Sequence, residues 1–123
     1  MSRYGKELIL DLHDCEVSAF NHKDIESFMD DLCKAIGMTQ CALHFWDDLD
    51  TPENEKQTSP HTVGTSAVQF ILTSNVTIHT LNLLEAVYLN IFSCKDFDAD
   101  AAVAVALDWF GGAIVTKVEI DRL

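Results

Sequence analysis

The sequence predicts an α/β two-layer sandwich, two helices laid on one mainly antiparallel sheet. Two segments carry helical signals with caps at both ends, and the stretches around them are short, apolar and rich in β-branched and aromatic residues. The resulting order is strand, helix, strand, long loop, several strands, helix, strand. A chain of 123 residues with 48% hydrophobic side chains forms a single domain, 1–123, able to bury a core without disulfides or metals.

Residues 6–12 have the short apolar character of a strand. From Asn21 to Gly37 the period changes: Ile25, Phe28, Met29, Leu32 and Ile36 form one helical stripe, with Asn21 as N-cap and Gly37 as stop. Thr39 to Trp46 reads as a second strand. Asp47 to His61 is polar, holds both prolines and has no period, so it is a loop that is either mobile or laid over a site.

Between Val63 and Phe92 the β-branched and aromatic residues divide into two or three strands. Asp98 to Phe110 is alanine-rich, is capped by Asp98 and ends at Gly111-Gly112, and its mostly apolar surface predicts a buried helix. In the last segment Thr116, Val118 and Ile120 alternate with Lys117 and Glu119, the pattern of a half-solvated strand with its apolar side inward.

Twenty acidic against eight basic residues give a net charge of −12. That excess repels phosphate backbones and anionic lipid, so neither nucleic acid nor a membrane surface is expected as a partner, and cationic small molecules are. No stretch approaches the roughly 20 apolar residues that span a bilayer, and the opening MSRYGKELILDLHDCE meets charge too early for a signal peptide. The expected compartment is the cytoplasm, where Cys15, Cys33, Cys41 and Cys94 stay reduced. His13 and Cys15 would share a face if the first strand ran on past them, but two ligands without a second pair make no zinc set, and no metal is expected.

Ser66, Ser74, His79 and Cys94 fall within 29 positions of the strand-rich region. Together such residues supply a hydroxyl nucleophile, a base and a proton donor. Taken alone, each is an ordinary strand residue bonded to nearby backbone.

At these residues the chain resembles the bacterial and archaeal S-adenosylmethionine decarboxylase proenzymes. The centre of the resemblance is Thr73-Ser74-Asn75-Val76-Thr77-Ile78-His79-Thr80, similar to the family's Glu-Ser-His-Leu-Ser/Thr-Ile-His-Thr. Asn90-Ile91-Phe92-Ser93-Cys94 follows at the family's interval, Val63-Gly64-Thr65-Ser66 stands upstream where the family has Gly-Val-Ser, and Gly5 to Cys15 is similar to its opening strand.

The resemblance implies a self-processing carboxy-lyase of the adenosylmethionine decarboxylase type. Ser74 would attack the carbonyl of Thr73, so that the chain is cut between Thr73 and Ser74 into a β chain (1–73) and an α chain (74–123), with a pyruvoyl group left in place of Ser74. Ser66 and His79 match the residues that assist this processing, His79 by proton transfer. The pyruvoyl group would form a Schiff base with the amine of S-adenosylmethionine, and Cys94 matches the proton donor. The product is the aminopropyl donor for spermidine, and the family association is a homodimer.

The chain departs from the family pattern at Thr73, at Asn75 and at Leu81-Asn82-Leu83, where the family reads Trp-Pro-Glu with the glutamate on the nucleoside hydroxyls. Its 47–61 loop is also longer, and the family's initial Gly-x-His is Gly5-Lys6-Glu7. If the segment after His79 were a strand, Glu85 would share a face with Leu83 and replace the missing acid. Two other functions therefore stand beside the first: a pyruvoyl decarboxylase of another cationic amino acid, arginine or ornithine, and an unprocessed homologue acting as a binding or regulatory subunit.

Overall fold

Asn21 and Asp98 begin the two helices as the sequence predicts. The Asn21 side chain accepts from the Asp24 amide at 2.9 Å, and Asp98 accepts from the amides of Asp100 and Ala101 at 2.9 and 3.2 Å. In a computed structural model describing residues 2–123, these caps open α1 (His22–Ala35) and α2 (Ala99–Phe110). The strands are β1 (Gly5–His13), β2 (Gln40–Trp46), β3 (Gly64–Ile71), β4 (Ser74–Leu81), β5 (Ala86–Ser93) and β6 (Ala113–Arg122).

The six strands form one sheet in the order β2-β3-β4-β5-β1-β6, antiparallel throughout. The 63–92 region resolves into three strands joined by tight connections, β3 to β4 through Leu72-Thr73 alone. Both helices lie on one face. The stripe Ile25, Phe28, Met29, Leu32 and Ile36 packs there with Ala102, Ala106 and Phe110 over Leu8, Leu10, Ile78 and Ile91. The Phe28 and Phe110 rings meet edge to face at 4.9 Å, which joins the two helices.

Gln69 is a buried polar residue whose function in the fold is invisible in the sequence. Its amide donates to the carbonyls of Cys41 and Ala42 at 3.1 and 3.3 Å, where the β2–β3 register shifts between Gln40 and Leu43. A bulge leaves carbonyls unpaired, and Gln69 satisfies them from inside the sheet.

Three expectations change. In β6 the apolar residues face away from the helices: Lys117 pairs with Asp100 at 2.7 Å and Glu119 with Lys6 at 3.2 Å on the helix side, leaving Val118 and Ile120 exposed on the uncovered face. Helix α2 buries one side, Ala99, Ala102, Val103, Ala106 and Phe110, while Ala104 and Asp108 meet solvent. His13 and Cys15 do not share a face. Asp14 adopts φ +59°, which turns the chain so that His13 is exposed and Cys15 enters the core.

Candidate active site

The two-residue connection between β3 and β4 places Thr73 at its second position with φ +54°, in the left-handed region. Glycine or asparagine takes that conformation cheaply, whereas a β-branched threonine is strained. The strained residue immediately precedes Ser74, the first residue of β4. Cavities of about 260 and 310 Å³ adjoin both residues, the first lined also by Met38 and Cys94, the second by Phe70, Asn75 and Phe92. The Thr73–Ser74 peptide is therefore open to a small molecule.

Cys94 follows the last residue of β5 and meets this turn. Its sulfur is 2.9 Å from the Thr73 hydroxyl and 3.8 Å from Ser74 Oγ, and its backbone amide donates to Ser74 Oγ at 3.2 Å. Bonds from the Thr73 and Ser74 hydroxyls hold the Cys94 thiol below the usual range against a smaller desolvation effect, and Tyr4 adds to them. Cys15 and Cys33 behave oppositely, burial pushing each up to about 11. Ser93 Oγ accepts from the Lys95 amide at 3.0 Å and Lys6 Nζ bonds the Phe97 carbonyl at 2.5 Å, so the segment carrying Cys94 is tied at both ends.

Ser66 and His79 form a second group. They are cross-strand partners, and Ser66 Oγ lies 2.6 Å from His79 Nδ1. In the same register Trp46 neighbours Ser66, and Tyr88 lies between His79 and Asp11, so one row of side chains crosses the uncovered face. A cleft of about 480 Å³ opens over Trp46, Ser66, His79 and Tyr88, closed on one side by Gln57 and His61 of the 47–63 loop. Its described walls hold no carboxylate, although the chain carries −12.

The long loop is anchored where it begins. Asp47 sits 2.5 Å from His22 Nε2 and 3.2 Å from the Thr65 hydroxyl, while the His22 ring stacks on Phe45 at 4.2 Å. Burial raises the Asp47 carboxyl, but the bonds from His22, the Leu49 amide and Thr65 together take it below its usual value. Gln57 donates its amide to Asp48 at 2.6 Å, which closes the loop back on its start and sets Gln57 over the cleft.

The structure thus joins the four reactive residues as two pairs. Ser74 belongs to the helix side of β4 with Val76, Ile78 and Thr80, and His79 to the other side with Asn75, Thr77 and Leu81. Asn82 to Glu85 form a turn, not strand, so the shared-face argument for Glu85 lapses; Glu85 is exposed at φ +51°, next to Ala86, the partner of Leu81. Tyr4, Trp46, Tyr88 and the His22–Asp47 pair lay outside the sequence reading. Only an aromatic residue at an edge-strand end beside Asp47 hinted at them.

No curated protein matches the chain in sequence. In structure it is similar to the adenosylmethionine decarboxylase from Aquifex aeolicus, with a TM-score of 0.77 at 17% identity over 99% of this chain and 92% of that one. At that identity the likeness establishes the fold. The model of the S-adenosylmethionine decarboxylase family matches residues 6–123, from the first strand through the last, and on that match the chain belongs to this family.

Proposed function

We propose that the chain cuts itself between Thr73 and Ser74 and then decarboxylates S-adenosylmethionine, supplying the aminopropyl donor for spermidine. The observation that carries this is the strained threonine at φ +54° directly before Ser74, with Cys94 against both residues. Attack of Ser74 Oγ on the Thr73 carbonyl carbon forms a C–O bond and breaks the C–N bond, the hydroxyl proton passing to nitrogen. Removal of the Ser74 Cα proton then breaks the Cβ–Oγ bond, and Oγ departs as part of the new Thr73 carboxylate. Water supplies the ketone oxygen and ammonia leaves, so atoms balance without an oxidant.

The residues present suit a pyruvoyl group at position 74, since the site has a cavity on either side and a thiol at hand. That group supplies an electron sink for the pair released as carbon dioxide departs. Cys94 is placed to return a proton.

Among the described residues, no histidine or carboxylate lines the cavities beside Ser74, so the base for its Cα proton lies elsewhere. We place it in a second copy, so that the uncovered faces meet and the partner's Ser66 and His79 approach the turn through the cavity beside Phe70 and Phe92. The outward apolar side of β6 supports such a dimer, with Val118 42% and Ile120 40% exposed. In the cleft, the π faces of Trp46 and Tyr88 attract a sulfonium cation and stack on a planar base. Four free thiols fit action in the cytoplasm. Incubation with carboxyl-labelled S-adenosylmethionine tests the reading: labelled carbon dioxide is expected, and none from fully cut protein overturns it.

A further inference from the structure

We infer that the Thr73 hydroxyl is a positioning group for Cys94, and that the cut at Thr73 replaces one of the sulfur's hydroxyl neighbours by a carboxylate, fixing Cys94 as a proton donor. The second half rests on the self-processing reading above; the first does not.

In the intact chain the sulfur lies between two hydroxyls, Thr73 Oγ1 at 2.9 Å and Ser74 Oγ at 3.8 Å. The Thr73 hydroxyl has one proton and two acceptors in reach, the Leu72 carbonyl at 2.8 Å and the Cys94 sulfur at 2.9 Å, and when it turns to the sulfur it favours the thiolate. A thiolate has no proton to give. Of the neighbouring charges, Asp96 pairs with Arg3 at 2.9 Å and Lys6 at 3.3 Å, while Lys95 keeps its charge with Nζ on the Gly37 carbonyl at 2.9 Å. Tyr4 adds a hydroxyl and no charge near neutral pH.

The cut changes both neighbours together. Ser74 Oγ moves to the Thr73 carboxylate, so one donor is lost and a negative charge appears on the residue whose side chain touches the sulfur. A nearby anion disfavours the thiolate. The Thr73 hydroxyl remains to hold the thiol in place, and the cut that exposes residue 74 also holds Cys94 protonated for its step. A glutamate at position 73 has no hydroxyl to do this.

The test is the pH profile of Cys94 alkylation by iodoacetamide, followed by peptide mass, in a Cys41→Ser background; Cys15 and Cys33 are buried and Cys41 is exposed. In the uncuttable Ser74→Ala chain, Thr73→Val keeps the β-branch and removes the hydroxyl. It is expected to slow alkylation at pH 7 about fivefold, the loss of one donor to a thiolate, and Thr73→Ser is expected to restore the rate. Chains with Ser74 that have cut themselves are expected to show the alkylation midpoint at higher pH than the Ser74→Ala chain. Equal rates for Thr73 and Thr73→Val in chains with matching melting curves overturn the positioning role and leave self-processing untouched. A midpoint that does not rise on cutting overturns the switch. Chains with Ser74 that never cut overturn the switch and the self-processing reading together, while the Thr73 comparison still stands.

Discussion

Ser74 and His79 lie five residues apart on β4 and point to opposite faces of the sheet, separated by roughly 16 Å of strand. An odd spacing in a strand cannot bring two side chains together, so chemistry that uses both needs a second molecule.

Mixing two defective chains tests that requirement. Ser74→Ala and His79→Ala are each expected to stay uncut alone. Co-refolded, the His79→Ala chain is expected to be cut, because it keeps Ser74 and its partner keeps His79. Gel fragments appearing only in the mixture support the shared site, and a mixture as inert as its components refutes it.

Cys94→Ala leaves Ser74, Thr73 and the turn in place. Cleavage is expected at the normal rate, while turnover of S-adenosylmethionine falls by about 10²–10⁴, the usual contribution of a placed proton donor. Fragment yield and carbon dioxide release, measured on one preparation, separate the two effects.

Gly5 is where β1 approaches the Cys94 segment. A Cβ built there would stand 2.0 Å from the Ser93 carbonyl oxygen and 2.8 Å from Cys94 Cα, and backbone on both sides cannot give way. Gly5→Ala is expected to cost about 1–3 kcal/mol in urea denaturation and to lower activity further by shifting Cys94.

The Asp47 anchor has a defined pH sign. Its carboxyl is held below the usual value by His22, the Leu49 amide and Thr65 despite burial, so its stabilisation is present above the unfolded pKa of about 3.9 and is lost as pH falls through the lower folded value. Asp47→Asn is expected to cost about 1–2 kcal/mol at pH 7 and to lose that difference from the wild type as pH falls through the lowered folded value. The Gln57–Asp48 closure should loosen with it, raising hydrogen exchange at Gln57 and leaving Ser74 unaffected.

The fold was legible because its elements obey short-range rules. Asn21, Asp98, Gly37 and Gly111 mark helix ends, and the Ile25 to Ile36 stripe marks the buried side of α1. The facing of β6 was not legible: alternation separates Val118 from Lys117 but cannot say which side meets helices, and the ion pairs with Asp100 and Lys6 decide it across long sequence distances. The site followed the same division. Spacing pairs Ser66 with His79 and Ser74 with Cys94 once the strands are registered. The left-handed Thr73 arises from a two-residue connection whose sequence, Leu72-Thr73, has no turn-forming residue to announce it.

Intact mass of the freshly purified chain, under denaturing conditions, reaches the central claim without assuming any substrate. Two fragments are predicted, residues 1–73 ending in a free Thr73 carboxylate and residues 74–123 beginning with a pyruvoyl group in place of Ser74, with Ser74→Ala remaining whole. A chain that stays at 13.7 kDa, or a Ser74→Ala chain that is still cut, contradicts it.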